Sequence, residues 1–217
     1  MLIEDAVSPG TPQFVIDSYA TLAERAKTQS FGLIEEDVIV LDTETTGLSV
    51  QDNELIEISA ARLTFVHPKQ LIPAEITELT SITNADVADA PSAVEAVAAL
   101  ADFVGGCPVI AHNATFDRSF IESVKGGVNV SDIWIDSLAL SRIALPRLIS
   151  HKLSFMADLF GCDSVSHRAN ADVDALCGVW RVLLVALTDL PSGLMARLAD
   201  MHADVPWSYR PIFSFLA

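Results

Sequence analysis

The residues best placed for chemistry lie in Val38-Ile39-Val40-Leu41-Asp42-Thr43-Glu44-Thr45-Thr46-Gly47, where an apolar run ends on two carboxylates. Asp42 and Glu44 stand at i and i+2, so on an extended strand both side chains leave from one face, a single step apart. Like charges that close repel unless a cation lies between them. A divalent-metal site at the carboxyl end of a strand buried on both faces resolves the repulsion. A strand running into a solvated acidic turn is the plainer alternative. Thr45, Thr46 and Gly47 supply small residues and a turn, where a ligand can approach the backbone closely.

Further ligands have to come from elsewhere in the chain. Pro108-Val109-Ile110-Ala111 reads as a short strand, and His112-Asn113 turns it into a helix carrying Phe116, Asp117, Phe120 and Ile121. Asp117 therefore falls near the start of a helix at a strand's carboxyl end, where open α/β sheets bind ligands. An aspartate that only complements the helix dipole fits the same position. Downstream, Ser166-His167-Arg168-Ala169-Asn170-Ala171-Asp172 opens a long helix. Within one helix His167 and Asp172 would point about 140° apart. To share a site, His167 must lie in the loop before the helix and Asp172 in its first turns, which suits a base beside an anchored metal ligand. Asp174 should face away. His112 and His151 are loop histidines with no carboxylate at ligand spacing and read as hydrogen-bonding residues.

The elements that must position these groups are legible in outline. Thr11-Pro12 starts an amphipathic helix over about 12–28, with Phe14, Val15, Tyr19, Leu22, Ala23 and Ala26 at helical spacing. Its apolar face either packs on the domain or docks a partner. Glu35, Glu36 and Asp37 lead into the central strand. After the polar loop Leu48–Asn53, Leu55–Leu63 reads as a second, antiparallel strand and Thr64–Val66 as a short third. Pro91–Val104 is a helix opened by proline and stopped by Gly105-Gly106. Trp134–Leu138 reads as a strand, and Ala139–Ala144, Lys152–Phe160, Ala169–Leu187 and Pro191–Asp200 as helices.

Composition narrows the class. With 217 residues, 51% of them hydrophobic, a single α/β domain with appended segments is expected. No apolar run approaches the ~18 residues of a membrane span, and the acidic start lacks signal-peptide order. Cys107, Cys162 and Cys177 are scattered, which argues against a disulfide framework or zinc site and for core cysteines in a reducing cytoplasm. A net charge of −16, with 13 Lys and Arg, excludes a broad basic face. Any grip on nucleic acid must be local and metal-dependent, or supplied by a partner.

Taken together, Asp-x-Glu on a strand, Asp117 after a strand-turn and His-x-x-x-x-Asp opening a helix resemble the DEDDh (DnaQ-like) 3′–5′ exonucleases. That family includes the proofreading subunit of bacterial replicative polymerases. The matching stretches are VIVLDTETTGL, ELIEISAARL, EITELTSIT, VIAHNATFD, DSLALSR, SHKL and HRANADVDA, in family order across residues 37–188. The resemblance implies an RNase H-like α/β fold, a central mixed sheet flanked by helices. It also implies two divalent ions, Mg²⁺ or Mn²⁺, held by Asp42, Glu44, Asp117 and Asp172, with His167 as general base. Thr45, Thr46, Leu48, His112 and Asn113 would lie on the substrate side. Residues 1–36 and 189–217 become an N-terminal and a C-terminal extension.

The implied activity is removal of nucleoside 5′-monophosphates from a single-stranded 3′ end, DNA in proofreading or repair. Trimming of RNA 3′ ends is the alternative, and a nuclease-like interaction module whose site is unused is the rival class. A polymerase, helicase or repair protein would be the partner. The chain departs from the family in a short hairpin after Leu63, which should stunt the third strand. Val205–Phe213 resembles the segment that follows the exonuclease module in chains fused to a helicase or repair nuclease.

Overall fold

The computed structural model describes residues 1–28, 38–60, 63–201 and 213. The acidic lead-in Glu35–Asp37, the end of the second strand at Ala61 and Arg62, and the aromatic tail up to residue 212 lie outside them. The strands are β1 (Ile39–Val40), β2 (Asp42–Thr45), β3 (Leu55–Ser59), β4 (Leu63–Phe65), β5 (Val109–Ala111) and β6 (Trp134–Asp136). The helices are α1 (Gln13–Thr28), α2 (Ala74–Thr80), α3 (Ala93–Val104), α4 (Ala114–Ser123), α5 (Ser137–Ala144), α6 (Leu153–Phe160), α7 (Ala169–Thr188) and α8 (Ser192–Ala199).

β1 and β2 are consecutive halves of one extended run, and the two halves pair on different sides. β1 lies parallel to β5, and β5 to β6, in register Ile39↔Val109 and Val109↔Trp134. Leu41 carries the pairing one residue further by donating its N–H to the Ile110 carbonyl at 2.8 Å. β2 then runs antiparallel to β3, and β3 to β4. The expected mixed sheet is therefore present, its parallel and antiparallel parts joined along residues 39–45. Leu41 of the leading apolar run is fully buried, while Val38, Ile39 and Val40 are half-buried. The third strand is short, as the abbreviated hairpin predicts.

Apolar packing holds the helices on the sheet. Leu41, Leu55 and Ile58 pack with Val97, Leu100 and Val104 of α3 and with Phe120 and Ile121 of α4. A second core gathers α5, α6 and α7 around Leu140, Met156, Leu176, Val179 and Leu183. The buried face of α1, with Tyr19, Leu22 and Ala26, belongs to this second core. Arg25 adds a two-pronged ion pair to Asp189, at 2.6 and 2.7 Å, just beyond the end of α7. Of the two fates open to that apolar face, packing on the domain is the one observed.

Helix ends follow local chemistry. Ser92, not Pro91, caps α3: its hydroxyl accepts from Glu95 N–H, and the Glu95 carboxylate accepts from Ser92 N–H at 2.9 Å. Gly161 closes α6 in the left-handed region at φ 66°. The cysteines correct one expectation. All are free; Cys107 and Cys162 are half-buried against the two cores, while Cys177 is exposed and is not a core residue. Among the described residues no helix is long and apolar enough to cross a membrane.

Candidate active site

Asp42 and Glu44 lie on the half-buried face of β2, alternating with buried Thr43 and Thr45. Helix α7 brings Asp172 over that face in its first turn. Ligand oxygens of Asp42, Glu44 and Asp172 come within 4.8 Å of one another. Asp117, on the first turn of α4, is 2% exposed, and its Oδ1 accepts a 2.7 Å hydrogen bond from Thr43 Oγ1. Thr43 thus fixes Asp117 beside the strand that carries the other two acids.

The electrostatics are those of a site lacking positive charge. Burial raises the Asp42 carboxyl well above its ordinary range, and Asp117, Glu44, Asp172 and Glu57 push it in the same direction. Glu44 is raised to about 8 by burial, then by Asp172, Glu57 and Asp117, against the lowering effect of Arg168. Burial lifts Asp117 to about 7 despite the Thr43 hydrogen bond. Asp172 is also raised by burial, opposed first by the Ser166 N–H, which donates to its Oδ1 at 2.9 Å. Carboxylates held together at this cost fit a hard divalent cation, which prefers oxygen ligands.

His167 is exposed on the loop before α7, in the left-handed region at φ 53°, and lines a cleft of ≈ 600 Å³ together with Asp42, Asp172 and His112. Asp174 is exposed and points away, as expected. His112 contributes to the wall with both ring nitrogens engaged. Its Nε2 donates to the His151 carbonyl at 3.0 Å and its Nδ1 lies 3.0 Å from Ser137 Oγ. Burial pushes its pKa down to about 4, so the ring is neutral at physiological pH.

Asn113 adopts the left-handed region at φ 72°; its side chain is exposed and its N–H donates to Asp136 Oδ1 at 3.0 Å. Thr45 and Thr46 are buried, and Leu48 next to them is 88% exposed. Their loop is closed by Asn53, which accepts from Ser49 N–H and donates to the Thr46 carbonyl. A Cβ at Gly47 would meet the Asn53 amide at 2.7 Å, so a side chain there would have to push Asn53 out of the bonds that close the loop.

Two contributors were missed in the sequence. Glu57 on β3 is directly opposite Glu44 in register and has no exposure. Arg168 Nη2 stands 2.9 Å from its Oε1, and Ala169 N–H donates to its Oε2 at 2.7 Å. Arg168 also lies over the Phe65 ring of β4, 5.5 Å from its centroid. The loop bearing His167 is thereby clamped to β3 and β4. The signal was available: a glutamate inside a strand buried at every position needs a cation or donor.

An RNase H-like sheet with a carboxylate-lined cleft along its β2 strand defines a nuclease of the metal-dependent class. A sequence profile of the exonuclease family (RNase_T) matches residues 39–180. The DNA polymerase III PolC-type of Caldanaerobacter subterraneus subsp. tengcongensis is 35% identical over 194 residues, 82% of this chain and 14% of that protein. The PolC-type polymerase of Clostridium perfringens is 33% identical over 175 residues, 75% of this chain and 12% of that protein. The chain thus spans a small part of these relatives. Among solved structures, exonuclease X in complex with 5′ overhanging duplex DNA aligns at TM-score 0.56 and 22% identity, over 69% of this chain and 92% of that one. A zinc-bound E. coli ExoI–ssDNA complex aligns at TM-score 0.57 and 15% identity, over 74% of this chain and 43% of that one. These two likenesses speak to the fold. The chain belongs to the exonuclease family.

Proposed function

We propose that this chain hydrolyses the last phosphodiester of a single-stranded DNA 3′ end and releases a nucleoside 5′-monophosphate. The observation that carries the reading is the convergence of Asp42, Glu44 and Asp172 within 4.8 Å in a cleft that also holds His167. Two ions, Mg²⁺ or Mn²⁺, suit an all-oxygen donor set of Asp42, Glu44 and Asp172, with Asp117, bonded to Thr43 and outside that cluster, as the fourth acid. When bound, they would supply positive charge to the attacking and leaving oxygens of an in-line displacement.

The chain's own residues do the rest. His167 takes a proton from the attacking water through a ring nitrogen, and the water oxygen bonds to phosphorus. The bond from phosphorus to the 3′-oxygen of the preceding nucleotide breaks, and that oxygen takes a proton from solvent to become the new 3′-hydroxyl. The backbone at Thr45 and Thr46, the exposed Leu48 and the turn at His112 and Asn113 flank the terminal nucleotide. Residues 37–188 carry this activity, with 1–36 and 189–217 as extensions. Free cysteines suit a reducing cytoplasm.

Similarity to PolC-type polymerases favours DNA over RNA, in proofreading or repair, and a polymerase, helicase or repair enzyme as the partner that holds the strand. The test is incubation of 3′-labelled single-stranded DNA, duplex DNA and RNA with Mg²⁺, Mn²⁺ or EDTA. Single-stranded DNA should shorten from its 3′ end with either ion, and neither EDTA nor Asp42→Asn should allow it. Faster digestion of RNA would reassign the substrate. Failure on every substrate would leave a module that only recruits partners.

A further inference from the structure

Charge is scarce on the cationic side of this protein, so where it is left unpaired carries information. Four of the described cations are neutralised: Arg25 by Asp189, Lys27 by Glu24, Arg118 by Glu122 and Arg168 by Glu57. Arg142 and Lys152 have no ion-pair partner among the described residues, and both line the cleft shared by Asp42, His167 and Asp172. Other unpaired cations, such as Lys69, Lys125 and Arg147, line different hollows.

The wall that carries these two cations is braced. Arg142 leaves the last turn of α5, and Lys152 is the residue from which α6 starts. His112, at the end of β5, joins them: it bonds Ser137 at the start of α5 and the carbonyl of His151 next to Lys152. His151 in turn donates through Nε2 to the Leu145 carbonyl at 3.1 Å, just beyond α5. The cleft therefore has separated signs, carboxylates at one end and two exposed cations on a braced backbone along another wall. A phosphate at the carboxylate end needs metal ions to be held there. A phosphate at the other wall meets Arg142 and Lys152 directly.

We propose that Arg142 and Lys152 form a shelf for the phosphates upstream of the scissile one, so that the site binds the phosphodiester backbone of a single strand without reading its bases. The shelf rests on the exonuclease reading for the position of the scissile end. It gives a strongly acidic chain a short grip of about two phosphates, equivalent to a salt slope of roughly 1.4 for a single strand.

The experiment is fluorescence anisotropy of a labelled ten-nucleotide oligothymidylate with the full chain, in Ca²⁺ and over a range of salt. Arg142→Ala with Lys152→Ala should weaken binding by roughly 10- to 100-fold and lower the log–log salt slope by about 1.4. Exchanging the two as Arg142→Lys and Lys152→Arg should preserve both quantities. Thermal melts report folding, and the single variants are scored if the double one is not cooperative. Unchanged affinity and slope in a folded alanine variant overturns the shelf, as does equal loss in the charge-preserving exchange.

Wild-type hydrolysis of the p-nitrophenyl ester of thymidine 5′-monophosphate in Mn²⁺ judges the exonuclease reading separately, since that ester has no upstream phosphate. Ester turnover with cation-independent strand binding sinks the shelf alone. Cation-dependent binding without ester turnover sinks the exonuclease reading alone.

Discussion

Arg168 neutralises a glutamate that has no access to water. Its Nη2 lies 2.9 Å from Glu57 Oε1, while the other oxygen accepts from the first N–H of α7 at 2.7 Å. Glu57 faces Glu44 across the β2–β3 pairing, where two like charges would otherwise destabilise the sheet. With Glu57 satisfied by Arg168 and the helix end, Glu44 is the member of the pair with no ion-pair partner among the described residues.

Removing the guanidinium should therefore cost stability. Arg168→Met leaves the Glu57 charge buried, and a loss of about 3 kcal/mol is expected, the lower end of the range because Arg168 is partly exposed. Adding Glu57→Gln should recover most of it, since an amide still accepts from Ala169 N–H. Urea unfolding measures both; a loss under about 1 kcal/mol in the single variant would show that the pair is not a clamp.

Stability of the metal-free chain should fall as pH rises. Glu44 titrates at about 8 in the fold against 4.5 for an ordinary glutamate, and Asp117 at about 7 against 3.8. Between the unfolded and folded values the native chain binds more protons than the unfolded one, so each unit of pH in that window removes stability. In EDTA the melting temperature should decline from about pH 5 to about pH 8. If Mn²⁺ binds the ionised cluster, as the proposed function requires, it should reverse the decline. Asp42→Asn should weaken the Mn²⁺ effect; an equal shift in variant and wild type would place the ions elsewhere.

His167→Asn separates chemistry from structure. Asparagine tolerates the left-handed backbone at this position, so the melt should hardly change. Cleavage should fall by ~10²-fold or more, because the amide cannot take the water's proton. Near-normal turnover at neutral pH would remove His167 from the reaction and leave it a loop residue.

What could be read in the sequence was whatever chemistry leaves in spacing. Asp42 and Glu44 share a strand face, Gly161 stops a helix, and the α1 stripe is apolar, each visible within a few residues. Pairings that cross the chain left only half a signal. Glu57 could be seen to need a partner, but Arg168 stands 111 residues away. Thr43 is the donor to Asp117 only because α4 approaches β2, a contact 74 residues apart in the chain. At α3 the Ser-x-x-Glu pattern of Ser92–Glu95 forms the cap, and the proline that opens the segment stands one residue before it. Val38, Ile39 and Val40 are half-buried where the apolar run alone suggests a strand covered on both faces.

The long reach between β2 and α7 also sets an order of events during synthesis. A chain that has emerged only as far as Phe160 already contains Asp42, Glu44 and Asp117, yet it lacks His167, Asp172 and the Arg168 fork. His167 and Asp172 arrive on the same loop and helix, and Arg168 and the Ala169 N–H between them hold that segment to Glu57. A ribosome-bound fragment short of α7 therefore lacks two of the five groups that the proposed function assigns to hydrolysis, and on that reading competence to degrade nucleic acid is deferred until the helix has joined the sheet.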